Sequence, residues 1–157
     1  MSDVVSIARD RDSRPPWRSR TVRLFRLSHR AYDEIVFRRL LWTEWKRAVR
    51  AEQPLFLVLV RVNRHPVTTR VPAPVSARVF AALTQAVRDV DFTGWYRDGR
   101  LAGAVLAQVG DPPDAEARAG IRQRVVTSLE QQLPAIAARG MSVKVVEVRS
   151  ERRSFAR

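Results

Sequence analysis

Arg97-Asp98-Gly99-Arg100-Leu101 sets one carboxylate between guanidinium groups in a short turn. Asp98-Gly99 is a strong hairpin signal, because a tight turn needs positive φ and glycine supplies it without strain. Arginine forks at Arg97, Arg100 and Arg61 match phosphate geometry and could hold an anion. A lone aspartate among arginines reads first as a turn residue rather than a metal ligand. Arg88-Asp89-Val90-Asp91 places an arginine and an aspartate three residues apart. Read plainly, Asp91 caps the end of a strand and Arg88 is an exposed helix residue. The spacing is cheap in this chain, since Arg9–Asp12 and Arg30–Asp33 repeat it. No Gly-rich phosphate loop, HExxH, nucleophile elbow or CxxC is present, so no other catalytic motif competes. His65 in Asn63-Arg64-His65-Pro66 reads as a loop residue rather than a base.

Composition narrows the classes. The chain has 157 residues, enough for one domain with a core plus an extension. An apolar fraction of 45% argues for a folded protein. With no cysteine there is no disulfide framework and no cysteine zinc site, and His29 and His65 are too few for a histidine metal centre. No metal or cofactor is expected. No apolar run approaches the ~20 residues of a membrane helix, and residues 1–20 lack a signal-peptide core, so a cytoplasmic protein without a membrane span is expected. The net charge of +13 is almost wholly arginine, Lys46 and Lys144 being the lysines. Such a field attracts nucleic acid, nucleotides, acidic lipid or an acidic partner; arginine-rich composition without function is the alternative.

The elements that must position these residues are legible in periodicity and breakers. Residues 1–20 read as a disordered basic arm around Pro15-Pro16. Ser28 is a candidate N-cap for an N-terminal helix over 28–52, with Tyr32, Val36, Leu40 and Trp45 at helical spacing. Trp42 and Trp45 on this helix form a candidate partner or dimer face; lying against the domain's own sheet is the alternative. The domain proper is expected over 54–149. Residues 55–62, LFLVLVRV, read as a buried strand. A helix begins near Pro74, with Val75, Val79, Leu83, Val87 and Val90 on one face. Phe92 to Tyr96 and Leu101 to Val109 form a hairpin, with Trp95 facing opposite to Gly94 and Tyr96. Asp111 to Asp114 caps a third helix that Pro134 shortens or kinks. Gly140 closes that region, Ser142 to Val148 is the last strand, and 150–157 is a basic tail. The order is β-α-β-β-α-β after one helix: an α+β, ferredoxin-like antiparallel sheet with helices on one face and the first and third strands central.

This order, with the turn at Arg97–Leu101, resembles the GGDEF domains of diguanylate cyclases over about residues 35–148. The resemblance implies a domain of the nucleotide cyclase superfamily, a bacterial source and a signalling role. It also implies where a metal pair would sit. Divalent ions of that kind need carboxylate oxygens. The first-strand metal aspartate maps onto Arg61, and Asn63 replaces the aspartate two residues later. The acidic third and fourth signature positions map onto Gly99 and Arg100, and the double glycine is lost. The chain is therefore expected to be a degenerate, catalytically inactive GGDEF-like protein with no catalytic residues. The degenerate site, Arg61, Asn63, Arg97, Asp98 and Arg100, could bind an anion instead. Arg88 and Asp91 match, in place and pattern, the RxxD site by which many such proteins bind cyclic di-GMP. Three functions stand: a regulatory protein acting through a protein partner or as a homodimer; a cyclic di-GMP or nucleotide sensor; a basic nucleic-acid binder. The last rests on charge alone, since the first strand offers only Phe56 for stacking.

Overall fold

The computed structural model describes residues 4–6, 31–62, 70–106 and 115–149. In chain order the elements are β1 (Val4–Ser6), β2 (Ala31–Tyr32), α1 (Glu34–Arg50), β3 (Leu55–Val62), α2 (Ala73–Ala86), β4 (Phe92–Arg97), β5 (Leu101–Leu106), α3 (Ala115–Gln132), α4 (Ala135–Arg139) and β6 (Met141–Arg149). They build one six-stranded sheet in the order β1-β6-β3-β5-β4-β2. Its inner four strands are antiparallel neighbours with β3 and β5 central, the ferredoxin-like arrangement that the strand and helix order predicts.

Alternation along β3 divides the core in two. Phe56, Val58 and Val60 face α2 and α3, where they meet Val79, Phe80, Leu83, Val125 and Leu129. Trp95 joins this side and meets Phe80 edge to face at 4.9 Å. Leu55 and Leu57 face the other way, with Val105, Val146 and Val148, and α1 covers them through Phe37, Leu41 and Trp45. Burying each such side chain contributes roughly 1.5–3 kcal/mol, which makes α1 a structural layer of the domain. The sheet thus carries helices on both faces, where the sequence suggested one.

Several boundaries differ from expectation, each for a local reason. The first helix starts at Glu34, because Asp33 is its N-cap: Val36 N–H donates to Asp33 Oδ1 at 2.8 Å. Ser28, the expected cap, lies outside the described residues. Tyr32, expected in that helix, is in β2, which pairs with Thr93 and Gly94 of β4. The arm expected to be disordered contains β1, which pairs in parallel with Glu147 to Arg149; the rest of 1–20 lies outside the described residues, as do the 150–157 tail and the Asp111–Asp114 cap. Val90 does not extend the apolar face of α2, which ends at Ala86; it is exposed. Pro134 ends the third helix, and a short α4 follows with Gly140 as its C-cap.

Candidate functional site

The β4–β5 hairpin, the end of β3 and the start of α1 converge at one end of the sheet. Register makes the convergence explicit. Arg61 on β3 lies opposite Leu101 on β5 and Ser142 on β6, and Leu101 lies opposite Arg97 on β4. Arg61 and Arg97 therefore flank Leu101 in one row, about 10 Å apart at a strand spacing of about 4.8 Å. Arg100 stands in the turn between them in sequence. All three are exposed and belong to none of the ion pairs among the described residues. Asn63, the fifth member expected here, lies outside the described residues, as does His65.

Asp98, the turn's carboxylate, is already engaged. Arg70 Nη2 donates to Asp98 Oδ2 at 2.5 Å, and Asp98 N–H donates to Glu34 Oε2 at 2.7 Å. The other oxygen of Glu34 accepts from Arg38 at 3.0 Å. Val71 N–H donates to Gly99 O at 2.7 Å, so the segment before α2 is laced to the turn. Gly99 has φ +66°, as the Asp-Gly turn requires, and the Arg70 side chain lies against it. Sequence reasoning did not find Arg70 or Glu34. They stand 28 and 64 residues from Asp98, and nothing local marks either as its partner.

The turn's carboxylate is thus spent on a guanidinium, and guanidinium groups hold the strand positions beside it. Among the described residues no three acidic, histidine or cysteine side chains gather in a way that could hold a metal ion. What the arrangement offers chemically is charge-assisted hydrogen-bond donors for an anion.

Arg88 and Asp91 sit at the other end of β4, about 20 Å from the turn at strand rise. The two candidate sites are not brought together. Asp91 Oδ2 accepts from Arg88 N–H at 2.9 Å, and Arg88 Nε lies 3.6 Å from the same oxygen. The Asp91 side chain is 1% exposed and that of Arg88 58%. Asp91 thus closes the α2–β4 connection, as its capping reading predicts.

Trp45 is 4% exposed within the second core, so it offers no partner face. Trp42 is half-buried, stacked on Trp45 at 4.6 Å, with Lys46 Nζ 5.1 Å from its ring centre. Among the described residues no helix is long and apolar enough to cross a membrane. A shallow groove of about 420 Å³ between α2 and α3, lined by Gln85, Gln123, Arg124 and Ser128 among others, involves none of the predicted site residues.

The chain matches no protein-family model and no curated protein sequence. It does superpose on a solved structure, the isolated GGDEF domain of the Pseudomonas aeruginosa protein TpbB, also called YfiN. The TM-score is 0.56 over 74% of this chain and 71% of that one, at 14% identity. The fold is that of a GGDEF domain. At this identity the likeness concerns architecture, and the residues at the hairpin end of the GGDEF-like sheet must be read on their own chemistry.

Proposed function

We propose that this chain is a catalytically inactive GGDEF-like protein with a signalling or regulatory role, acting in the cytoplasm by binding a protein partner or a second copy of itself. One observation carries the reading: Arg61 and Arg97 flank Leu101 in a single row, while Asp98 is paired with Arg70. A metal pair that bridges phosphates needs several carboxylate oxygens held close together. Arg61 and Arg100 stand where the resemblance to cyclases would put two of those carboxylates, and fixed guanidinium charges there repel a divalent cation instead. Among the described residues, those at the hairpin end of the sheet do not suit the metal ions that a cyclase reaction would need.

A second reading has an observation of its own. Arg61, Arg97 and Arg100 are exposed cations outside the ion pairs of the described residues, which suits an anionic ligand such as a nucleotide bound without metal. A cyclic di-GMP site at Arg88 and Asp91 keeps only its position in its favour, because the aspartate is enclosed and already accepts from Arg88. Nucleic-acid binding still rests on net charge.

Mn²⁺ titration followed by electron paramagnetic resonance, with and without GTP, tests the proposal. The free Mn²⁺ signal at a given GTP concentration should be the same whether or not the protein is present. A protein-dependent loss of signal that Arg61→Ala leaves unchanged would mean that a cation site exists.

A further inference from the structure

The outward side of α1 carries a pattern of its own. At about 100° per residue, Phe37, Leu41 and Trp45 turn to the sheet, and Arg39, Thr43, Lys46 and Arg50 fall within about 60° of arc on the side opposite. All four are exposed. Ile35, Trp42 and Val49 follow at seven-residue intervals along one border of that side. Ile35 and Val49 belong to neither core cluster; Val49 is 45% exposed, and Trp42 is half-buried. With Arg39 and Lys46 between them, these residues form a stripe at alternating four- and three-residue steps, the spacing at which one helix meets another. The carboxylates of α1, Glu34 and Glu44, lie off the stripe and are paired with Arg38 and Arg47. Arg39, Lys46 and Arg50 belong to none of the ion pairs among the described residues. Lys46 lies 5.1 Å from the Trp42 ring centre, a contact that leaves its charge in place. The field along the stripe is therefore positive.

We propose that this stripe docks an acidic amphipathic helix of a partner protein. Carboxylates on that helix face Arg39 and Lys46, about 10 Å apart at helical rise, and aliphatic side chains cover Val49 and the exposed part of Trp42. Charge separates this occupant from a second copy of the chain. A parallel pair would set Arg39 against Arg39 and Lys46 against Lys46, and an antiparallel pair about Trp42 would set Arg39 against Lys46. Cations in a helix seam select a partner of the other sign and disfavour self-pairing. Residues 7–30 hold eight arginines and two aspartates, so they are like-charged as well. A nucleic acid matches the charge but relies on open ring faces for its bases. One face of Trp42 lies on Trp45, and Lys46 stands close to the ring. A lipid surface takes up a broad apolar face, and that face of α1 is buried on the sheet. The inference rests on the binding-protein reading above; it names the surface and the class of partner.

Fluorescence anisotropy on the full chain tests it with three probes: a labelled peptide bearing leucine and glutamate at alternating three- and four-residue steps, a scrambled peptide of the same composition, and a single-stranded DNA of equal charge. The patterned peptide should bind most tightly. Arg39→Glu with Lys46→Glu should weaken it about tenfold, against no more than about twofold for Arg124→Glu with Arg139→Glu in the helical layer opposite. A patterned peptide with lysine in place of glutamate should bind the Arg39, Lys46 variant better than it binds wild type. Circular dichroism confirms that each variant is folded. Scrambled peptide or DNA binding as tightly as the patterned peptide, or equal losses from both reversal pairs, would overturn the assignment. So would a dimer in light scattering, or retention on phosphatidylserine vesicles, that reversal at Arg39 and Lys46 removes. GTP turnover is measured on the same samples: product formation would remove the inactive-protein reading without touching the peptide result, and failed docking would leave the turnover result as it stands.

Discussion

The Phe37 ring rests on Gly103: a Cβ built on that glycine would lie 2.8 Å from the ring's Cζ. Gly103 pairs with Gly94, where a Cβ would meet Phe37 Cδ2 at 2.7 Å and the backbone oxygen of Tyr32 at 2.6 Å. Two facing glycines thus hollow the sheet, and the hollow seats α1 and the edge strand β2.

Alanine at these glycines is therefore costly in different degrees. A side chain can rotate away from a new methyl, but a strand carbonyl cannot. Gly94→Ala should destabilise by about 1–3 kcal/mol and Gly103→Ala by less, as overpacking does in well-filled cores. Urea denaturation of the two variants against wild type gives the order directly.

Trp45 and Trp42 should separate in the same measurement. Trp45 is enclosed between helix and sheet, so Trp45→Ala should cost about 3–5 kcal/mol. Trp42 is half-exposed and stacked on it, and Trp42→Ala should cost under about 2 kcal/mol. Equal costs would place Trp42 as deep in the core as its neighbour.

The sequence makes the sheet legible because β3 is a continuous apolar run, the Asp98-Gly99 turn demands positive φ, and the helices keep a 3.6-residue period. It does not disclose that α1 closes the second face. Phe37, Leu41 and Trp45 form a stripe that would look the same on a helix waiting for a partner, and the glycines that receive Phe37 lie 57 and 66 residues further on. The site was half legible. Arg61 and Arg100 are visible as cations, but Arg70 and Glu34 reach the turn through tertiary contacts that no local pattern encodes.

The Arg88–Asp91 pair divides by burial. The Asp91 carboxylate is enclosed and accepts a backbone N–H, so Asp91→Ala should cost about 1–3 kcal/mol by leaving donors unmatched. Arg88 is largely exposed, and Arg88→Ala should cost under about 1 kcal/mol. Thermal denaturation of both variants checks the asymmetry, and a large loss at Arg88 with none at Asp91 would contradict it.

The turn itself should tolerate loss of its ion pair better than loss of its glycine. The Arg70 and Asp98 side chains are 68% and 49% exposed, so Arg70→Ala should cost under about 1 kcal/mol after solvent screening. Gly99→Ala forces a Cβ into a left-handed position beside Arg70 and should cost about 1–2 kcal/mol. Chemical denaturation at matched salt reads both.

The most direct test is to incubate the purified full chain with GTP and Mg²⁺ or Mn²⁺, beside an active diguanylate cyclase, and to follow nucleotide products by chromatography and mass spectrometry. Unchanged GTP and no cyclic di-GMP are expected from this chain. Accumulation of cyclic di-GMP above the no-protein control, lost on heat denaturation, would contradict it.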